Sequence, residues 1–317
     1  MAGYTNAYLC AFVDYLNVFN CIHCNMKIHL NCPLCNSPAL SGYAMDLKRK
    51  GIHISRSKCK SCKIVFANPM AEKEELFSFY QDYYEKGNFK MLDYKEKTRR
   101  EIDELKKDKK IRHEKGKFIY DYKTHGKVLD VGAGLGSLLI YVDPDVFEMY
   151  ATEFDQDAID FLKENVNDQI NVIKGDLFDA GYPDEYFDYV IFNHVIEHVL
   201  EPLRYLQEIK RILKKGGKLY IGTPNIESPV YKLYRTGMFY TGKIPDIVDG
   251  IEHTFIFSKK VLKEQVEMSG FIIQQHRSVK LSATWQEIFR SGMSLKKKLA
   301  RLSQTIFSIN QEMICMK

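Results

Sequence analysis

No stretch of the 317-residue sequence is apolar enough to span a bilayer, which takes about 20 consecutive predominantly apolar residues. Residues 1–20 are fairly apolar but lack the basic start of a secretory signal. The first Lys or Arg is Lys27, and Asp14 interrupts the apolar run. We therefore expect neither a signal peptide nor a membrane anchor, and a cytoplasmic location by default. Internal repeats, low-complexity tracts and dense basic clusters are also missing. Lys and Arg number 46 against 41 Asp and Glu, a formal net charge of +5. That balance is too weak to imply a nucleic-acid partner.

Cysteine, by contrast, is patterned. Six of the eight cysteines fall in C-x-x-C pairs. Without a secretion signal, that spacing favours metal over disulfides. Cys32-Pro-Leu-Cys35 and Cys59-Lys-Ser-Cys62, separated by 23 residues, suit four thiolates arranged tetrahedrally around Zn²⁺. Four thiolates leave no open coordination position, so such a zinc would be structural. Cys21 and Cys24 form a third pair. They could compete as ligands, join a second site with His23 or His29, or stay unligated.

Three regions differ in character. Residues 1–65 hold most of the cysteines. Residues 66–125 are charged and aromatic with helical signals, and from 95 to 117 their charges alternate in sign as on a solvated helix. Residues 126–317 alternate strand-like and helical segments, the pattern of a parallel α/β sheet. Strands are expected at 127–131, 148–153, 171–174, 188–193 and 218–223, with two final ones at 271–276 and 311–316. Pro202 suits the first turn of a helix carrying Leu203, Leu206, Ile209 and Leu213, and Gly216 and Gly217 are expected to stop it. Residues 226–252, with Tyr231, Tyr234, Phe239 and Tyr240, interrupt this pattern. They are expected to form a substrate lid or wall, with core packing or an oligomer contact as the alternative. A basic amphipathic helix is expected at 294–309, packed on the sheet or resting on a membrane surface.

The segment Asp130-Val-Gly132-Ala-Gly134-Leu-Gly136 follows a strand and is expected to open a helix. Its glycines allow positive φ and close approach of a ligand to the backbone. Dinucleotide sites use similar loops, but here the third position of that fingerprint falls on Ser137. Asp130, two residues before the first glycine, would repel a pyrophosphate and attract an ammonium or sulfonium group. Glu153 closes the second expected strand, where a carboxylate can accept hydrogen bonds from ribose hydroxyls. The competing role, a helix cap, suits Asp155 better.

With these motifs in order, residues 126–317 resemble the class I S-adenosylmethionine-dependent methyltransferases. The resemblance implies a Rossmann-like seven-stranded sheet with its last strand antiparallel. It also implies a cofactor site built by Asp130, Gly132, Ala133, Gly134 and Gly136 around the amino-acid part of S-adenosylmethionine. Glu153 would hold the ribose and Phe154 would lie against the adenine. Asp176 would take the adenine amino group, Leu177 would supply the backbone amide beside it, and Asn193 would complete the set. The pairs at Cys32, Cys35, Cys59 and Cys62, followed by Ile-Val-Phe-Ala-Asn-Pro and Phe-Tyr-Gln-Asp-Tyr-Tyr, resemble the zinc ribbon that precedes many bacterial enzymes of this type. In related enzymes the helices before the first strand cover the cofactor, a role open to Tyr83 or Tyr84.

The tract His194-Val-Ile-Glu197-His198-Val lies just beyond the fourth expected strand. The D/N-P-P-Y/F motif of enzymes that methylate bases or glutamine is absent. The tract instead resembles small-molecule methyltransferases, including ubiquinone-pathway O-methyltransferases and sugar methyltransferases. Its H-x-x-E-H spacing also matches an inverted zinc-protease motif, but that motif requires a long helix and a further ligand. Histidine suits removal of an acceptor proton near neutral pH. His198 is the first candidate base and His194 the second. His253, before the penultimate helix, is the third. Each could instead simply hold the loop. The expected function is methyl transfer to a small molecule, most readily at an oxygen of a sugar, nucleotide-sugar or similar metabolite. Methylation of RNA guided by the ribbon, and a non-catalytic binding protein on the same fold, are the alternatives.

Overall fold

The computed structural model describes residues 27–49, 52–81, 89–229, 231, 253–280 and 308–317. Cys21, His23, Cys24, Tyr83, Tyr84, Tyr234, Phe239, Tyr240 and residues 294–307, on which expectations were placed above, lie outside the described residues. No described helix is long and apolar enough to cross a membrane.

Two sheets organise the chain. The first is antiparallel and contains β1 (Leu40–Arg49), β2 (Ile52–Cys59) and β3 (Val65–Ala67). The helices α1 (Lys73–Gln81), α2 (Phe89–Lys107), α3 (Lys109–Lys115) and α4 (Lys117–Tyr120) follow, as the charged segment implied. The strands β4 (Gly126–Val131), β5 (Phe147–Glu153), β6 (Asn171–Lys174), β7 (Phe187–Asn193) and β8 (Leu213–Pro224) then form the parallel part of the second sheet. Helix α5 (Gln156–Phe161) follows β5, and α6 (Pro202–Ile212) precedes β8. The short β9 (Phe255–Ile256), α7 (Lys259–Met268), β10 (Ile272–Lys280) and β11 (Ser308–Met316) complete the order. The large sheet runs β10-β11-β8-β7-β4-β5-β6. β11 is antiparallel to both of its neighbours. This is the seven-stranded Rossmann-like arrangement that the resemblance implied.

Strand alternation explains why both faces of this sheet are dry. Leu129 and Val131 of β4 join Val190 and Phe192 of β7 in one core, with Leu206 and Ile209 of α6. Val128 joins Tyr189 and Ile191 in the other, with Phe118 and Ile119 of α4. Such continuous apolar runs are required where helices cover both faces. The first core also contains Cys32, Cys59 and Phe66, so the cysteine-bearing segment shares one continuous core with the large sheet. β9 pairs with β3 and supplies the fourth strand of the small sheet.

Local expectations differ from the structure at two points. The glycine loop opens no α-helix: only a 3₁₀ turn forms, at Leu139–Tyr141. Pro144 disfavours helical geometry at Asp143, and Gly132, Gly134 and Gly136 all have positive φ, which leaves room for a single turn. Helix α6 has Pro202 in its first turn as expected, but it ends at Ile212, before Gly216 and Gly217. Leu213 instead begins β8, pairing with Phe187, and the five-residue step from Leu213 to Lys218 absorbs the glycines as an irregularity.

Candidate active site

β4 and β7 are neighbours, but β5 lies on the far side of β4. The strand order reverses there, and the carboxyl ends of such strands open a ligand crevice. Gly132, Gly134 and Gly136 emerge from β4 with φ of 65°, 53° and 75°. A Cβ on Gly132 would lie 2.9 Å from Val195 Cγ2, so the glycine lets the loop close against the turn after β7. Ala133 is buried, and its amide donates to the Thr152 carbonyl at 3.0 Å.

Glu153 gathers the cradle. Its carboxylate accepts from the amides of Gly134 (2.7 Å), Phe154 (2.8 Å) and Asp155 (3.0 Å). Burial raises its pKa although these three donors oppose the rise. Asp130 is buried as well, and burial together with the Glu153 charge pushes its carboxyl well above the usual carboxylate range. Two buried acids of like charge disfavour ionisation, and a cationic ligand would relieve this. Asp155 caps α5 by accepting from Ala158 N at 3.0 Å, leaving Glu153 free of that role. Phe154 meets Phe77 of α1 edge-on at 5.2 Å. Asp176 accepts from Leu177 N and from the Tyr205 hydroxyl, both at 2.6 Å. Asn193 stands at the end of β7, where a Cβ on Gly222 would collide with its side-chain oxygen. The glycine cradle and its paired acids suit the amino-acid and sulfonium parts of S-adenosylmethionine.

The tract after β7 folds around Glu197, which is 1% exposed. One carboxylate oxygen lies 3.0 Å from His194 Nδ1 and 3.9 Å from His198 Nε2, and the other accepts from the Thr223 hydroxyl at 2.9 Å. Burial would raise the Glu197 pKa, but the His194 hydrogen bond and the charges of His194 and His198 bring it down to about 2. His194 has φ 55°, an uncommon conformation for a non-glycine residue, and its side chain is 42% exposed. Burial opposes its charged form, yet the hydrogen bond and charge of Glu197 raise its pKa. Because Glu197 is ionised, Nδ1 carries the proton, and Nε2 of the neutral ring is left as an acceptor. Asn310 of β11 donates to that nitrogen at 3.3 Å. His198 Nδ1 lies 2.7 Å from the Tyr80 hydroxyl of α1. The His198 and His253 rings are 4.5 Å apart. His253 is 7% exposed, and burial, then the neighbouring His198 charge, lower its pKa far enough to keep it neutral.

All three expected histidines therefore meet at one place, beside the glycine loop. Sequence reading missed the residues that hold them. Glu197 was visible three residues after His194, but Thr223, Tyr80 and Asn310 are distant in sequence and carried no local signal.

The four cysteine sulfurs at positions 32, 35, 59 and 62 lie within 4.8 Å of one another and form no disulfide. Cys32–Cys62 and Cys35–Cys59 are 3.7 and 3.6 Å apart. A tetrahedron with Zn–S bonds of about 2.3 Å has edges of about 3.8 Å, so the set fits zinc. Ser61 N also points at Cys59 Sγ from 3.3 Å.

A family model described as a methyltransferase domain matches residues 94–276, more than half of the chain. The chain belongs to the methyltransferase-domain family. It is 27% identical over 160 residues to the human mitochondrial ubiquinone biosynthesis O-methyltransferase, covering 47% of this chain and 42% of that protein. It is 30% identical over 166 residues to the demethylmenaquinone methyltransferase of Staphylococcus saprophyticus, covering 47% and 71%. The chain spans about half the length of the first curated relatives it matches. Among solved structures, it is similar to a chain of the complex between the Trm112 methyltransferase activator of Haloferax volcanii and a candidate methyltransferase. That match has a TM-score of 0.51 and 15% identity, and it covers 70% of this chain and 94% of that one. At that identity the likeness speaks to the fold alone.

Proposed function

We propose that this protein transfers a methyl group from S-adenosylmethionine to a hydroxyl oxygen of a small molecule, with His194 as the base. One observation carries the reading. Val195 packs against Gly132 of the acidic cradle while its neighbour His194 is held by the buried Glu197. Cofactor loop and candidate base are thus joined through one residue.

S-adenosylmethionine would supply a methyl group already activated on a positively charged sulfur. The chain has to hold that group, align the acceptor oxygen and remove its proton. Asp130 and the glycine loop would hold the amino-acid part, Glu153 the ribose, and Phe154, Asp176 and Leu177 the adenine. His194 Nε2 would accept the acceptor proton while Glu197 fixes the tautomer and stabilises the imidazolium, as a buried acid does for a histidine base. Transfer would leave the acceptor's proton on His194 Nε2 and the imidazolium paired with Glu197. Sequence reading ranks His198 first. His194 is favoured because its side chain is the more exposed and its outer nitrogen is the acceptor.

A sugar or nucleotide-sugar is the acceptor class that the sequence resemblance favours. A hydroxylated quinone precursor is the second reading, supported by the similarity to the ubiquinone and demethylmenaquinone enzymes. The zinc held by the four cysteines would be structural. Incubation with methyl-labelled S-adenosylmethionine and parallel panels of nucleotide-sugars and hydroxyquinols should label one panel. His194→Gln should lower turnover about 10²–10⁴-fold with unchanged S-adenosylhomocysteine affinity. Equal turnover would remove His194 as base.

A further inference from the structure

Methyl transfer by His194 needs the turn after β7 held in place, and that turn has no regular structure of its own. Residues 194–200 leave the sheet as bends and turns. The carbonyls of such a turn need donors from elsewhere when it is buried. Those of Glu197 and Val199 find one in the same residue. The Thr254 hydroxyl lies 2.9 Å from the Glu197 carbonyl and 3.1 Å from the Val199 carbonyl, and its one proton is shared between them. The Phe255 amide donates a second bond to the Glu197 carbonyl at 3.0 Å. Thr254 is fully buried. Valine has the same shape and would fill the same space, so the hydroxyl is there for its bonds and not for packing.

Thr254 is anchored from its other side as well. Its carbonyl accepts from the Ala67 amide at 2.9 Å, and the next two residues, Phe255 and Ile256, pair with Phe66 and Val65. β3 follows the Cys59–Cys62 knuckle directly, and Cys59 N donates to the Ile64 carbonyl at 3.0 Å. The segment is thus clamped between the cysteine-bearing sheet and the turn that carries His194. From this geometry we infer that Thr254 is a positioning residue, which ties the small sheet to that turn and so fixes the Glu197 carboxylate against His194. Glu197 is then held at both ends, its carboxylate by Thr223 and its backbone carbonyl by Thr254. The inference rests on the proposed methyl transfer and adds to it the residue that keeps the base in register. Two acids act on His194: Glu197 on its own turn, and Glu312 of β11, which is paired with Arg277 of β10. His198 and His253 lie within 4.8 Å of the Glu197 carboxylate. Of the two acids, only Glu197 depends on Thr254 for its place.

Thr254→Val removes the hydroxyl and keeps the shape. Nuclear magnetic resonance titration of the histidine rings in the full chain reads the result, with the His194 signal assigned by its loss in His194→Gln. The His194 midpoint should fall towards the ordinary 6.5 in Thr254→Val and return in Thr254→Ser, which restores the hydroxyl. Ser258→Ala removes the cap of α7 instead, which costs stability without touching the turn, and should leave the midpoint in place. Turnover should fall about 10–100-fold in Thr254→Val with unchanged S-adenosylhomocysteine affinity, and the acidic limb of its pH–rate profile should move to lower pH. If the valine variant does not melt cooperatively, Thr254→Ala against Thr254→Ser carries the same comparison. An unmoved midpoint in a folded chain without the hydroxyl, or an equal shift in Thr254→Ser or Ser258→Ala, would overturn the inference. The titration needs neither cofactor nor acceptor, which keeps the two proposals apart. Absence of S-adenosylhomocysteine binding by the wild-type chain discards methyl transfer, and the titration still decides what Thr254 holds.

Discussion

Glu197→Gln tests the electrostatic centre of the site. The substitution keeps shape and the acceptor for Thr223 while removing the charge that faces His194. Glu197 titrates at about 2 in the fold, against an ordinary 4.5. At about 1.4 kcal/mol per tenfold change in proton affinity, the depression is worth about 3 kcal/mol of stability. The sign fixes the pH window. A depressed carboxylate pKa gives stability that is present above 4.5 and lost as pH falls towards 2. His194, raised by the same contact, gives stability that is present below its ordinary 6.5 and lost as pH rises through its folded value. The two shifts describe one interaction, so they are not added. Urea unfolding at a series of pH values should therefore show the cost of Glu197→Gln largest between about pH 4.5 and 6.5 and smaller in alkali. A cost that is the same at every pH would refute the ion-pair account, and a cost below about 0.5 kcal/mol would refute the burial argument.

Three further outcomes follow from the same geometry. Gly132→Ala places a side chain at positive φ and against Val195, and should cost about 1–2 kcal/mol in urea unfolding; unchanged stability would contradict the described loop. Asp130→Asn should stabilise the ligand-free chain, because a carboxyl with a raised pKa loses stability as pH rises from the ordinary carboxylate range to its folded value. Denaturation across that range should give a flatter slope in the variant. Cys59→Ser should remove the ribbon zinc and lower the melting temperature; metal analysis showing full retention at the four-thiolate site would move the ligands elsewhere.

The strands were legible because the central ones carry their own apolar runs, whereas the seven-stranded arrangement was implied only by the family resemblance. The glycines with Asp130 and Glu153 marked the cofactor loop. The four cysteines were legible from spacing alone, because two C-x-x-C turns bring their sulfurs together whatever lies between them. What the sequence did not give depends on distant partners. Tyr80 reaches His198 across 118 residues, and Thr223 reaches Glu197 across 26. β3 and β9 pair although neither has periodicity to announce it, being three and two residues long. His253 was noticed for its place in the chain, but its approach to His198 depends on that pairing. The helix expected after the glycine loop failed for a local reason that was readable in Pro144.

Calorimetric titration of the full chain with S-adenosylhomocysteine tests the central claim most directly, since it needs no acceptor. The account predicts one ligand per chain and an affinity about 10–100-fold weaker in Glu153→Gln, the loss expected when charge-assisted bonds to a diol are weakened. No binding by the folded wild-type chain, or equal binding by wild type and Glu153→Gln, would contradict it.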